Sequence, residues 1–191
     1  MPFPEADKEQ TEVYAESGLS VEETFADAFI KLGGKFVYCD NELELMEGIA
    51  NLHESRSWSK MLCSDNRLAL LFQNNKLDII QPLTQGHTEA EVCITDCEML
   101  VARTGSIIFS SRQFMGRTAP VFYPVHIVVA YANQIAPDID EGLNFIKKKY
   151  GVNIPSMINL NTGPSRTADI EKTLVVGVHG PGEVFCFYVN A

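Results

Sequence analysis

Apolar residues recur at helical spacing in four stretches of the chain and form short unbroken runs through much of the rest. Val21, Phe25, Ala28, Phe29 and Leu32 follow one another at three- and four-residue steps, the spacing of one helix face. Ser20 and Glu23 sit where a capping box needs them: the serine oxygen takes the third backbone N–H while the glutamate reaches back. Gly33-Gly34 then supplies the stop, because glycine readily adopts the left-handed backbone that ends a helix. A second helix is predicted from Glu42 to about Glu54, with Leu43, Met46, Ile49, Ala50 and His53 on one face. A third runs through Arg67 to Phe72, and a last one from Asp138 to Tyr150 turns Ile139, Leu143 and Ile146 inward. Lys147, Lys148 and Lys149 close that helix; they suit the negative pole of its dipole and read as a solvated face.

The remaining apolar runs are short and rich in β-branched residues: 35–39, 60–63, 92–94, 99–102, 106–110, 126–131, 172–176 and 183–189. Runs of that length and composition read as buried strands. Up to residue 90 they alternate with helices, and that order predicts an α/β fold, a largely parallel three-layer sheet with helices on both faces. Residues 1–19 are polar and lack a sustained apolar period, so they read as a flexible N-terminal arm. From Ser20 to Ala191 no linker or internal repeat interrupts the pattern, which predicts a single domain.

Composition narrows the function classes. A chain of 191 residues buries roughly 70% of its extended surface, enough for one substantial core. No apolar run approaches the ~18–20 residues of a membrane span. Fifteen basic against 25 acidic residues leave a net charge of −10, a field that repels phosphate backbones and argues against nucleic-acid binding. The first residues carry neither the cationic start nor the apolar stretch of a secretory signal. Five scattered cysteines, Cys39, Cys63, Cys93, Cys97 and Cys186, are expected to be buried free thiols in a reducing cytoplasm. Their spacing offers no four-ligand zinc or iron–sulfur site, so no metal and no cofactor is expected in this chain.

Three loops carry the candidate chemistry. In 161–171, Gly163 allows close backbone approach, Ser165 offers a hydroxyl, and Arg166 presents a planar donor fork for a carboxylate or phosphate. Asp169 and Glu171 share one side if that segment is extended. The loop is expected at a sheet end, where open α/β sheets place ligands; its plain alternative is a structural turn with Arg166 paired to Asp169. In 177–182, Gly180 and its neighbouring glycines can cradle an anion with backbone N–H groups, and His179 can act as acid, base or donor. The alternative there is a hairpin turn between the last two strands. In 103–117, Thr104, Gly105 and Ser106 offer a small anion or carbonyl pocket, with an ordinary β-turn as the alternative, and Arg117 is a second candidate for a negative group. His126 opens an apolar strand, either as a buried hydrogen-bonded residue or as a proton carrier. A P-loop and a dinucleotide-binding glycine fingerprint are both absent.

Ile94 to Ser111, then Gly116-Arg117, Pro124-Val-His-Ile127, Thr162 to Glu171, and Leu174 to Pro181 occur in the order seen in one family. In these segments the chain resembles the LUD domain family, in particular its lactate utilization protein C-like (DUF162) group. The resemblance implies a fold similar to the NagB/RpiA/CoA-transferase superfamily. It also implies an accessory role in oxidising L-lactate to pyruvate beside iron–sulfur partner subunits, with a small carboxylate or phosphate as ligand. Arg166 or Arg117 would hold that ligand and His179 or His126 would carry the proton. Arg103 departs from the pattern, standing where the family commonly has an acidic residue. The superfamily also implies an alternative, a stand-alone enzyme on a phosphorylated sugar or acyl thioester with Asp169 and Glu171 as its acid/base pair. A non-catalytic structural subunit is the third reading.

Overall fold

The structure is a computed structural model that describes residues 18–84, 89–168, 174–177 and 179–191. In chain order the elements are α1 (Val21–Lys31), β1 (Lys35–Cys39), α2 (Glu42–Arg56), β2 (Met61–Cys63), α3 (Asn66–Asn74) and β3 (Ile80–Pro82). There follow β4 (Val92–Asp96), β5 (Met99–Val101), β6 (Ser106–Ser110), α4 (Ala119–Phe122), β7 (Val125–Tyr131) and β8 (Ile135–Ala136). The chain continues with α5 (Ile139–Tyr150), β9 (Ile158–Asn161), β10 (Arg166–Ala168), β11 (Leu174–Val176) and β12 (Glu183–Val189).

Local chemistry accounts for the helix boundaries. Glu23 N–H donates to Ser20 Oγ at 3.3 Å, and Ser20 N–H donates to Glu23 Oε2 at 2.8 Å, so the capping box is formed on both sides. Asn41, Asp65 and Asp138 cap α2, α3 and α5 with their side-chain oxygens, removing orphan donors from each first turn. Gly33, with φ +88°, ends α1.

Six parallel strands form the main sheet in the order β1-β12-β7-β4-β2-β3. Side-chain alternation sends Phe185, Phe187 and Val189 of β12 to one face, where they pack with Leu45 and Ile49 of α2 and Leu68 and Phe72 of α3. Val184, Cys186 and Tyr188 go to the other face, against Phe25 and Phe29 of α1 and Leu100, Ile107 and Phe109 of the second sheet. Phe25 and Phe29 are fully buried, with ring centroids 5.3 Å apart; burying each is worth about 2–3 kcal/mol. The predicted α/β architecture with helices on both faces is present: α2 and α3 on one face, α1 and α4 on the other.

The departures are informative. A four-stranded sheet, β8-β5-β6-β9, forms a layer of its own over the second face, and α5 packs behind it through Ile146 on Met99, Val101 and Ile108. Apolar runs such as 99–102 and 106–110 look alike whichever sheet receives them. The segment 177–182 is not a hairpin turn: β11 pairs antiparallel with β10, and β12 runs parallel between β1 and β7. Lys149 is not simply solvated, since its Nζ reaches the buried Glu98 at 2.7 Å.

Candidate functional site

Two cavities sit at opposite ends of the main sheet. The first, of about 240 Å³, opens at the amino ends of β7 and β12. One wall is Gly163, Pro164 and Ser165; the facing wall is His179, Gly180 and Pro181; His126, Phe109 and Val184 lie between them. Hydrogen bonds fix the two walls to each other and to the sheet. Ser165 N–H donates to the Pro181 carbonyl, Gly177 N–H to the Ser165 carbonyl, and Gly182 N–H to the Pro124 carbonyl, each at 2.9 Å. Gly163 has φ +76°, and a Cβ there would stand 3.0 Å from the Leu32 carbonyl oxygen. The loop thus lies flat against the end of α1 because residue 163 has no side chain.

Several residues singled out from the sequence meet here: Gly163, Ser165, His126, His179 and Gly180 all line this cavity. Ser106 joins from behind, as its hydroxyl lies 2.8 Å from Thr104 Oγ1 and 2.9 Å from Thr162 Oγ1 on the rim. Gly105, at φ +60°, packs against the α1 backbone at Phe29 instead. His126 is fully buried with Nε2 2.8 Å from Thr95 Oγ1, and burial pushes its imidazole down to about 3. Burial thus favours the uncharged ring near pH 7, and the contact with Thr95 makes it a fixed polar group in the wall.

The two arginines are elsewhere. Arg166 Nη2 donates to the Leu32 carbonyl at 2.5 Å, satisfying a group that the end of α1 leaves open. Arg117 is exposed and donates to Ser156 Oγ at 2.7 Å. Neither lines the cavity, so a ligand there meets hydroxyl, imidazole and backbone dipoles in place of a guanidinium. Arg103 makes a two-pronged contact with Asp138 at 2.7 Å on each side and so joins the turn after β5 to the cap of α5. Asp169 and Glu171 lie outside the described residues.

The second cavity, of about 400 Å³, lies at the carboxyl ends of β2, β4 and β7, and sequence reasoning missed it. After β2 the chain turns to the face covered by α3, whereas after β4 it turns to the face covered by β5. Adjacent strands whose connections diverge leave a crevice between them, the topological switch point at which open α/β sheets bind ligands. Asp65, Arg67, Asp96, Asn133, Phe145 and Lys149 line it. Glu98 anchors its floor: its carboxylate accepts from Lys149 at 2.7 Å, Tyr150 at 2.6 Å and Ser110 at 2.5 Å. Burial raises the Glu98 carboxyl, but these three donors outweigh it and hold the group below the usual carboxylate range. Asp96 is different: burial, reinforced by Asp65, pushes it up to about 6 against one donor, Gln113 Nε2 at 2.8 Å. The available signal was positional, an aspartate ending a strand run at 96 and another capping a helix at 65 directly after a strand.

All five cysteines are buried and free. Desolvation raises their thiols, Cys39 to about 11 and Cys63 to about 12, which keeps them protonated. Among the described residues no group of three His, Cys, Asp or Glu side chains is placed to hold a metal ion, and no helix is long and apolar enough to cross a membrane.

Comparison with known proteins agrees with this architecture. The protein named Lactate utilization protein C in Bacillus subtilis (strain 168) is 38% identical over 95 residues, covering 49% of this chain and 40% of that protein. Its namesake in Bacillus velezensis is 35% identical over 104 residues, 53% of this chain and 43% of the relative. The matched segment thus spans well under half the length of these curated relatives. A crystal structure of a DUF162 family protein from Deinococcus radiodurans superposes with a TM-score of 0.64 over 90% of this chain and 99% of the other, at 21% identity, so the two share a fold. Residues 22–189 match the LUD domain, from the first turn of α1 to the end of β12, and on that extent the chain belongs to the LUD domain family.

Proposed function

We propose that this chain is an accessory component of a cytoplasmic system oxidising L-lactate to pyruvate, and that it holds a small carboxylate in the amino-end cavity. One observation carries the reading: the loops in which the sequence resembles the LUD domain family, Thr162 to Glu171 and Leu174 to Pro181, supply residues 163–165 and 179–181, which face each other across this cavity. The oxidation removes the hydroxyl proton and, with two electrons, the hydrogen on C2, so it needs a base and an acceptor. His179, exposed at the mouth, is the base in this reading. The Ser165 hydroxyl, His126 and the glycine-rich backbone orient the carboxylate. The electrons leave through iron–sulfur clusters held by partner subunits, and this chain contributes no redox group.

The test is affinity capture of the tagged protein from its native cells grown on L-lactate, with the eluate assayed for iron and for lactate oxidation with an artificial acceptor. Iron-bearing partners and activity, both missing without the tag, are the expected result. An iron-free, inactive eluate overturns the complex. Turnover of a sugar phosphate or acyl thioester by the purified chain alone replaces this reading with a stand-alone enzyme.

A further inference from the structure

The carboxyl-end crevice plays no part in the function proposed above, yet it is larger than the amino-end cavity and differently equipped. Its polar groups come from four parts of the fold and divide into two sides. On one side stands the start of α3. Leu68 N–H is taken by the Asp65 side chain and Ala69 N–H by the Asp65 carbonyl, leaving the Asn66 and Arg67 N–H groups without an intrahelical acceptor. Arg67 lies 4.2 Å over the Tyr131 ring and, among the described residues, makes no hydrogen bond or salt bridge. Its donor fork and the positive pole of α3 together favour a carboxylate. On the other side stands Asp96, with Oδ1 held by Gln113 Nε2. Lys149, the nearest ammonium on α5, is already committed to Glu98 at 2.7 Å and only partly offsets the negative charge. Phe145, 38% exposed, adds an apolar wall.

A hydroxy acid would satisfy the Arg67 side and leave the Asp96 charge uncompensated. A ligand bearing both a carboxylate and an ammonium satisfies both. We propose that this crevice binds a small zwitterion, an α-amino acid, with its carboxylate on Arg67 and the first turn of α3 and its ammonium on the Asp96 carboxylate. The side chain of the amino acid lies toward Phe145. This site is independent of the lactate reading, since it shares no lining residue with the amino-end cavity.

Isosteric pairs test it: titration calorimetry of the full chain with L-alanine against L-lactate, and L-phenylalanine against L-phenyllactate. The amino acid of at least one pair is expected to bind at least tenfold more tightly than its hydroxy partner. Asp96→Asn and Arg67→Ala, each checked for an unchanged circular dichroism spectrum, are each expected to weaken that binding at least tenfold. Ser165→Ala, in the other cavity, is expected to leave it unchanged. Affinity is also expected to fall between pH 8 and pH 5, as Asp96, faced by Asp65, Arg67, Glu98 and Lys149, takes up a proton. No binding by either amino acid, equal binding by both members of each pair, or undiminished binding in Asp96→Asn overturns the proposal. Loss of lactate-linked activity in the capture experiment, with amino-acid binding intact, sinks only the lactate reading.

Discussion

The two ends of one parallel sheet carry cavities of opposite character. The amino-end cavity is walled by glycine turns, prolines, a neutral histidine and apolar side chains from β6 and α4. The carboxyl-end crevice is walled by charges of both signs. A parallel sheet has inequivalent ends: every strand leaves at its carboxyl end, and where neighbouring connections part to opposite faces a gap opens that backbone alone does not fill. The amino end has no such gap by default. Here one is produced by the β10–β11 ribbon, whose ends are hydrogen-bonded to Pro181 and to each other. One site follows from topology and the other from loop geometry.

Breaking the Glu98 cluster carries the largest expected effect. Glu98→Ala leaves the Tyr150 and Ser110 hydroxyls and the Lys149 ammonium without their acceptor, and the expected loss is about 2–3 kcal/mol in a denaturant titration. A loss below about 1 kcal/mol shows that water replaces the carboxylate and that the crevice floor is not rigid.

Asp96 sharpens the contrast in the opposite sense. Its carboxyl is raised from 3.8 to about 6 in the folded state, so between those values the folded chain holds a proton that the unfolded chain releases. That contribution favours folding at low pH and is lost as pH rises through about 6. Asp96→Asn is therefore expected to stabilise the protein at pH 8 by up to about 3 kcal/mol, with the gain fading toward pH 4. Thermal melts across that range check it, and a gain that does not vary with pH removes the titration of Asp96 as the cause.

The smallest effect belongs to the amino end. The Tyr123 hydroxyl, at the end of α4, is buried without a hydrogen-bond partner among the described residues. Tyr123→Phe removes that unsatisfied group and is expected to raise stability by about 1 kcal/mol. A loss of similar size in the melting curve would reveal a partner for the hydroxyl in solution.

Much of the fold was legible along the chain. Ser20 and Glu23 marked the start of α1, Gly33 its end, and the unbroken run from Glu183 to Val189 a strand buried on both faces. These signals are local, since a capping box or a glycine stop acts within one turn. The candidate site was half legible. Gly163, Ser165, His179 and Gly180 were read from their loops and do face one another. Arg166 was read as a ligand fork, and nothing in its neighbours reveals that the Leu32 carbonyl, 134 positions earlier, takes its guanidinium. The hairpin alternative for 177–182 failed for a related reason: two strands consecutive in sequence were drawn to different partners, β11 to β10 and β12 between β1 and β7.

The sequence by itself determined four of the five described helices, most of the strands, the α/β class, the acidic charge and the loops that carry the family likeness; the short α4 was not legible. Each of these depends on neighbours within a few residues or on composition. Tertiary structure alone decided which apolar runs form the six-stranded sheet and which form the four-stranded one. It also decided which end of the sheet receives the glycine loops, and that Asp65 and Asp96 meet across a switch point. Burial rewards any apolar run alike, so it specifies that a strand is inside without specifying beside which other strand. That choice is made by register, layer packing and the pairing of distant polar groups, which become available only when the chain has closed on itself.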